Sequence, residues 1–168
     1  MCPRNLRPIM LVLALAGCSA DALTDATPVN FEPVNFDMVP TPFTASCDLV
    51  NDPPQPISPG VVRQINRGDC IIAHLGKSTY YSENIINFTT GTQSIEAIYT
   101  AANGDLLYAN GSGTNQFVGP GQVAFHAQVT FEGGTGRFED ATGSATVAGQ
   151  ANVVTRVAHF DALGTIAY

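Results

Sequence analysis

The sequence feature that most constrains the fold is a strand that leads into a glycine-rich turn near the end of the chain. Apolar residues occupy every second position before the turn, as in a strand with one buried and one solvated face: Val123, Phe125, Ala127, Val129 and Phe131. The glycines that follow reach positive φ values at little cost. A thinner strand of small residues comes next, at 144–149. We therefore predict a tight β-hairpin here.

The rest of the chain from residue 38 onward also favours strands, and no stretch has convincing helical periodicity. Asn103-Gly104 is typical of a two-residue type I′ turn, in which both residues have positive φ. The polar stretch 112–121 is predicted to be a loop, and the last strand is expected to close the sheet. The other predicted strands are 38–49, one long strand made of 61–65 and 70–81 with an interruption at 67–69, 84–88, 94–100, 105–113, 153–160 and 164–168. The fold class is therefore expected to be all-β.

Four segments, in order, resemble the allene oxide cyclase-like and dirigent-like β-barrels. They are His74-Leu75-Gly76-Lys77-Ser78-Thr79, Ala101-Ala102-Asn103-Gly104-Asp105, Gly133-Gly134-Thr135-Gly136-x-Phe138 with Gly143 beyond it, and Gly164-Thr165-Ile166-Ala167-Tyr168. The resemblance implies a single closed antiparallel eight-stranded β-barrel over residues 38–168. It also implies relatives that bind or reshape small apolar molecules. We expect the residues of the glycine hairpin to be structural.

The amino terminus has the layout of a bacterial lipoprotein precursor. Arg4 and Arg7 precede an apolar run at 9–15, far shorter than the roughly 20 residues of a membrane-spanning helix. Leu15-Ala16-Gly17-Cys18 then resembles a lipobox, whose cysteine carries the lipid. We expect residues 1–17 to be a removed signal peptide and Cys18 to carry acyl chains. The alternative is an ordinary cleaved signal with a chance cysteine.

A lipid on Cys18 predicts a cell-envelope protein. Ser19 in the next position resembles the pattern exported to the outer membrane of diderm bacteria. Residues 18–37 are rich in Pro, Ala, Thr and Asp and contain Pro-Val-Asn-Phe-Glu followed by Pro-Val-Asn-Phe-Asp, which favours a flexible, extended tether. Phe31 and Phe36 leave open a second role, in which this segment docks on the barrel or on a partner.

The two cysteines of the predicted domain, Cys47 and Cys70, flank the turn-like stretch 52–60. If 43–50 and 61–73 pair as a hairpin, the two residues become neighbours across it. An extracytoplasmic compartment lets a disulfide persist. We therefore predict a disulfide between them, and the alternative is a pair of free buried thiols.

The charge of the chain excludes some partners. The formal charge is −7 for 168 residues, and removal of the signal peptide with its two arginines leaves −9. Nucleic-acid binding and an electrostatic membrane patch both require clustered Lys or Arg. We therefore expect no nucleic-acid partner, and membrane contact only through the lipid on Cys18.

Three residues are candidates to line a cavity in the barrel. His74 lies inside a family-like segment, although a structural hydrogen bond is the favoured reading there. Glu96 lies between two apolar residues of a strand, so its side chain faces either a cavity or water. Tyr99 is one of several tyrosines able to form an aromatic pocket. The three histidines of the chain lack the short spacing of metal ligands, and no nucleophile motif or phosphate loop is present, so we expect no metal, no cofactor and no assignable catalytic residue.

These features favour a lipid-anchored, non-enzymatic envelope protein that either binds a small apolar ligand or another envelope component, or serves as a structural module. The alternative is a cyclase-like isomerase acting on an apolar substrate. An eight-stranded barrel is either filled by side chains or hollow enough for one small ligand. The sequence leaves that choice open.

Overall fold

The structure is a computed structural model, and it describes residues 38–168. These residues form nine strands and one short 3-10 turn, Gly136–Phe138. No helix among them is long and apolar enough to cross a membrane. The strands are β1 (Thr41–Asn51), β2 (Gln55–Ser58), β3 (Val61–Ile72), β4 (Gly76–Asn87), β5 (Thr92–Thr100), β6 (Leu106–Gly119), β7 (Gln122–Gly134), β8 (Thr142–Asn152) and β9 (Val157–Ala167).

Eight of the strands close into an antiparallel barrel. From β3 to β9 each strand pairs with the next along the chain, and β9 then pairs with β1. Closure is completed because β1 also pairs with β3, from Ala45↔Ile72 to Asn51↔Asn66. β2 is an additional short strand that pairs with the start of β3. The predicted all-β fold and the closed eight-stranded barrel are confirmed, and β2 is an element that the sequence did not indicate.

Several predicted strand boundaries were wrong. β3 runs through 67–69 without the predicted interruption, 84–87 is the end of β4, and the predicted strands 153–160 and 164–168 are joined in the single strand β9. The stretch 70–81 is not one strand, because a turn at 73–75 separates β3 from β4, with His74 in the left-handed region at φ 68°. The stretch 153–160 likewise begins with a turn, in which Arg156 has φ 59°. Both turns place a residue other than glycine at positive φ, so neither carries the usual glycine signal.

The predicted loop at 112–121 was also wrong for most of its length. β6 continues to Gly119 and pairs with β7 throughout this stretch. Ser112, Thr114 and Gln116 are polar because their side chains lie on the exposed outer face of the barrel. The sequence of this strand therefore resembled that of a loop, because its exposed face is polar.

The turn between β5 and β6 lies where it was predicted but has a different geometry. Gly104 has φ 90°, whereas Asn103 is not among the residues with positive φ. The backbone N–H of Gly104 donates to the carbonyl of Ala101 at 2.9 Å, and the N–H of Ala101 donates to the carbonyl of Asp105 at 2.9 Å. These bonds describe a type I turn extended by one glycine rather than the two-residue type I′ turn that we predicted.

The glycine hairpin is a folded connection of seven residues rather than a tight turn. β7 ends at Gly134 and β8 begins at Thr142. Gly134 has no room for a side chain, because an added Cβ would lie 1.9 Å from the carbonyl oxygen of Leu106. Thr135 ties the connection to β6, since its hydroxyl accepts a hydrogen bond from the N–H of Leu106 at 2.9 Å. Phe138 is fully buried and packs edge-on against Tyr168, with ring centroids 5.0 Å apart.

Phe138 therefore plugs one end of the barrel. Fully or almost fully buried side chains fill the interior next to it: Phe43, Ile72, Leu107, Phe131 and Ile166. The rings of Phe43 and Phe131 lie 4.7 Å apart in this cluster. We call this end, where β1 begins and β9 stops, the closed end. The opposite end, where β1 stops and β9 begins, is the open end.

The predicted disulfide is present. Cys47 and Cys70 are directly opposed in the β1–β3 pairing, and their sulfur atoms lie at bonding distance. Both residues are almost fully buried inside the barrel. The predicted hairpin of 43–50 with 61–73 is therefore also confirmed, with β2 inserted in its connection.

Removing the disulfide should destabilise the barrel. The bond closes a loop with a sequence separation of 23, for which chain entropy predicts about 3 kcal/mol of stabilisation. We expect the Cys47→Ala, Cys70→Ala double variant to lose about this much free energy of unfolding in urea titrations. The reduced wild-type protein should behave like the variant, and the variant itself should not respond to a reductant. Equal unfolding midpoints for the oxidised and the reduced wild type would contradict the prediction.

Candidate ligand-binding cavity

The open end of the barrel contains a cavity of about 220 Å³. Its walls are the inward-facing side chains at the ends of the strands that meet there. Its floor is the aromatic layer of Tyr80, Tyr99 and Phe160, in which the ring of Tyr80 lies 5.1 Å from that of Tyr99 and 5.3 Å from that of Phe160. Below this layer the barrel is filled by the core of the closed end. The barrel is thus packed in one half and hollow in the other.

One wall of the cavity is entirely apolar. It consists of the lining residues of three neighbouring strands, β7, β8 and β9. We call it the apolar wall, and its members are Val123, Phe125, Val129, Val147, Ala151, Ala158 and Phe160. They face inward because apolar residues alternate along each of these strands.

The facing wall carries six carboxamide side chains. They come from β1, β3, β4, β5 and β6, which are also consecutive around the barrel. We call this set the amide wall, and its members are Asn51, Gln64, Asn66, Asn84, Gln93 and Asn115. Three of them are buried, with exposures of 9% for Gln64, 6% for Asn66 and 6% for Gln93. Buried polar side chains are uncommon in small barrels, since each needs a hydrogen-bond partner.

Hydrogen bonds hold part of the amide wall in place. The Nδ2 group of Asn66 donates to the hydroxyl of Ser82 at 2.9 Å, and that of Asn84 donates to Oε1 of Gln93 at 3.1 Å. Gln64 donates through Nε2 to the backbone carbonyls of Asp52 and Ile65. These bonds use the nitrogen of Gln64 and Asn66 and the oxygen of Gln93. The wall therefore offers both acceptors and a donor to a bound molecule.

Other polar atoms in the amide wall have no partner. Oδ1 of Asn51, Oδ1 of Asn84 and Nδ2 of Asn115 are buried and make no hydrogen bond within the described part of the chain. Leaving such an atom unpaired costs about 1–3 kcal/mol. A molecule that rearranged these amides and paired with them would recover part of that cost. The unpaired set again includes both acceptors and a donor.

The floor of the cavity is uncharged over the physiological pH range. Burial raises the pKa of Tyr80 to about 12, and the neighbouring Ser82 hydroxyl opposes that rise. Burial, with a smaller contribution from Tyr80, raises the pKa of Tyr99 well above its ordinary value of 10.0. Both phenols therefore stay protonated. In the described part of the chain, the one lining residue with a permanent charge is Arg156, whose side chain is exposed at the mouth.

Of the three residues predicted to line a cavity, only Tyr99 does so. Glu96 is exposed on the outer face of β5, and His74 is exposed in the β3–β4 turn at the closed end. Neither belongs to the lining, so their assignment to the cavity was wrong. His74 instead has a local structural contact, because its carbonyl accepts a hydrogen bond from Nη2 of Arg137 at 3.1 Å. This bond joins two connections of the closed end.

The remaining candidate residues lie away from the cavity. The glycine hairpin belongs to the closed end, and Cys18 lies outside the described residues. His126 is exposed on the outer face of β7, and His159 is exposed beside Asp48, with Nδ1 2.8 Å from the carboxylate. Within residues 38–168 no three His, Cys, Asp or Glu side chains are grouped as a metal site requires.

The amide wall was missed in the sequence, although a signal for it exists. Side chains alternate between the two faces of a strand. Counting back in steps of two from the buried Cys70 reaches Asn66 and Gln64, and the same count from Tyr99 reaches Gln93. Because these residues are polar, they resemble residues of the exposed face of each strand.

A scan against protein-family models, a search of curated proteins and a search of solved structures found no match to this chain. Inference about function therefore rests on the chemistry of the cavity and its surroundings. That chemistry combines an apolar wall, an amide wall and an uncharged aromatic floor.

The raised pKa values of Tyr80 and Tyr99 predict a loss of stability at high pH. Below pH 10 both states of the protein hold these protons, so the two groups add no pH dependence. Above pH 10 the unfolded tyrosines lose their protons while the folded ones keep them, so the free energy of unfolding falls as the pH rises towards about 12.

Urea unfolding at pH 8, 9, 10 and 11 measures this effect. The Tyr80→Phe, Tyr99→Phe variant should lose less stability between pH 9 and pH 11 than the wild type. The exposed Tyr108 gives the matched control, since Tyr108→Phe should leave the wild-type profile unchanged. Identical profiles for the wild type and the double variant would contradict the prediction.

Proposed function

We propose that this protein binds a small, uncharged molecule in the open end of its barrel and does so without catalysing a reaction. The observation that carries this proposal is the division of the cavity into an apolar wall and an amide wall. A barrel that serves only as a structural module has no need of buried carboxamides around an empty space, because apolar side chains would fill that space at lower cost.

Size and charge define the ligand class further. A volume of about 220 Å³ lies below the roughly 300–1,000 Å³ of pockets for drug-sized ligands. It exceeds the 150 Å³ apolar cavity that holds a benzene ring in an engineered protein. Neither wall offers a charge to pair with a buried ion, and burying an unpaired charge is costly. The inserted part of the ligand is therefore about the size of one ring and neutral, with one apolar edge and one hydrogen-bonding edge.

The cellular setting that we propose is the cell envelope, with the barrel held there through a lipid on Cys18. This part of the proposal rests on the charged and apolar segments before Cys18 and on the lipobox-like Leu15-Ala16-Gly17-Cys18. The resemblance to allene oxide cyclase-like barrels is consistent with an apolar ligand. An outer-membrane location in a diderm bacterium follows from Ser19 by the same sequence argument.

A cyclase-like isomerase is less well supported. General acid–base catalysis needs a group whose pKa lies near the working pH. Within residues 38–168, the lining of the cavity contains no carboxylate and no histidine. Its candidate proton donors, Tyr80 and Tyr99, are held neutral by burial. These groups favour holding a neutral molecule over moving a proton.

A three-member series tests the binding proposal. Benzene, benzyl alcohol and benzoate have similar rings but differ in hydrogen bonding and charge. Chemical shifts of the amide-wall side chains, followed during titration, give the affinity for each compound. We expect benzyl alcohol to bind most tightly, benzene less tightly and benzoate most weakly. The Kd of benzoate should be at least tenfold higher than that of benzyl alcohol. Binding of benzoate as strong as that of benzyl alcohol would contradict a neutral cavity.

Filling the cavity supplies the matched control. Ala158 faces the cavity from β9, whereas Ala148 is exposed on the outer face of β8. Ala158→Phe should abolish binding of benzyl alcohol, and Ala148→Phe should leave it unchanged. The two variants introduce the same side chain into neighbouring strands, so equal loss of binding in both would exclude the cavity as the site.

Lipidation has a separate test. An alkyne analogue of palmitate fed to a bacterial host that expresses the full chain should label the protein, and Cys18→Ala should abolish the label. The Cys2→Ala variant is the control, because Cys2 lies within the predicted signal peptide and its loss should leave labelling intact. Label that persists in Cys18→Ala would contradict attachment at this residue.

A further inference from the structure

The mouth of the cavity is surrounded by exposed apolar side chains. They lie in the β4–β5 and β8–β9 connections and at the ends of β2 and β6, beside the β2–β3 and β6–β7 connections. We call this set the apolar rim, and its members, with exposures between 45% and 77%, are Ile57, Phe88, Phe117, Val118, Val153 and Val154. The rings of Phe88 and Phe117 lie 6.3 Å apart. A contiguous exposed apolar surface of this kind marks an interaction site.

Backbone hydrogen bonds link neighbouring strand ends and connections at the mouth of the cavity. The N–H of Phe88 donates to the carbonyl of Gly60 at 2.8 Å, and that of Val153 donates to the carbonyl of Gly121 at 2.9 Å. The N–H of Asn115 at the end of β6 donates to the carbonyl of Gly91 at 2.7 Å. Neighbouring parts of the rim are therefore held together in a row around the mouth.

Side chains also satisfy the backbone donors at the tips of the rim. Oδ1 of Asn87 accepts hydrogen bonds from the N–H groups of Thr89 and Thr90, at 2.9 and 3.2 Å. Oδ1 of Asn152 does the same for Val154 and Thr155, each at 2.9 Å. Between Phe117 and Gly121 the connection contains Pro120, which has no N–H. Paired backbone groups lower the cost of moving these tips out of water.

The charge of the rim differs from that of the rest of the protein. Arg156 is the one charged residue in the four connections, and the nearby Asp52 is paired with Arg67. The closed end, in contrast, presents Glu139 and Asp140 in an exposed loop. Among the described residues, this end of an acidic protein thus has its nearby acid in an ion pair, and Arg156 is its one cation outside an ion pair. This end therefore complements a surface that has an apolar interior and a negatively charged outer layer.

We propose that the apolar rim inserts into the interface of a bilayer that contains anionic lipids, with Arg156 at the level of the headgroups. Phenylalanine and valine at the loop tips supply the apolar contact, and the arginine supplies attraction to the headgroups. This contact is additional to the lipid on Cys18 that the sequence predicts. It also places the mouth of the cavity against the membrane, from which an apolar ligand enters without crossing water.

The chain length permits this orientation for a protein anchored at Cys18. β1 begins at the closed end, so the chain reaches the barrel on the side away from the rim. The 20 residues from Cys18 to Asp37 extend to at most about 70 Å. An 11-residue strand such as β1 is about 36 Å long. The chain before β1 is therefore long enough for the rim to contact the membrane that holds the anchor.

Vesicle co-sedimentation of the full mature chain with Cys18→Ser, which carries no lipid, tests the proposal. We expect binding to vesicles of phosphatidylethanolamine and phosphatidylglycerol, and weaker binding to vesicles of phosphatidylcholine alone. Phe88→Ser, Phe117→Ser should weaken binding to both by roughly tenfold or more, because two exposed aromatic side chains no longer enter the interface. Arg156→Gln should weaken binding to the anionic vesicles alone, by about fivefold.

A matched control separates the rim from general apolar exposure. Ile71 and Leu163 are exposed by 65% and 66% on the outer wall near the closed end. Ile71→Ser, Leu163→Ser should bind vesicles like the parent, and thermal melts should show all variants folded. Ala158→Phe should also bind vesicles normally, since the rim acts independently of cavity occupancy. No vesicle binding by the parent, equal losses in the two serine double variants, or self-association through the rim in place of vesicle binding would each overturn the proposal.

Discussion

The pairing of β1 with β3 is the interaction on which the rest of the structure depends. The strands from β3 to β9 form a meander, which by itself is an open sheet with two unpaired edges. β1 covers both edges, because it pairs with β9 along one side and with β3 along the other. Cys47 and Cys70 lie in the middle of the closing pair. Without this closure the sheet would not enclose an interior, so neither the packed half nor the cavity would form.

The fold was predictable from the alternation of apolar and polar residues along the strands and from the resemblance of four segments to allene oxide cyclase-like barrels. The disulfide was predictable from the turn-like stretch between the two cysteines. The residues of the cavity were not predictable in the same way, because the chemical type of a side chain does not show on which face of a strand it lies. Glu96 and Tyr99 lie three residues apart on one strand. Side chains at an odd separation face opposite sides of a sheet. The two residues could never line the same cavity, and with Tyr99 inside Glu96 had to face water.

The errors in the strand boundaries have a related cause. His74 and Arg156 occupy positive φ values in turns without glycine, where sequence patterns predict continued strand. At the open end several inward positions of β3, β4 and β5 carry amides, so the usual alternation is interrupted there. That interruption is itself informative. In a closed barrel, polar residues at inward positions indicate a site, because packing alone favours apolar ones.

The two ends of the barrel differ because their connections differ in length. The β7–β8 connection has seven residues, enough to fold over the end and insert Phe138. At the other end the β2–β3 and β6–β7 connections have two residues each and the β4–β5 and β8–β9 connections have four. Hairpins this short cannot fold back over the mouth. The same short turns therefore leave the cavity open, and exposed apolar residues of these turns and of the neighbouring strand ends surround its mouth.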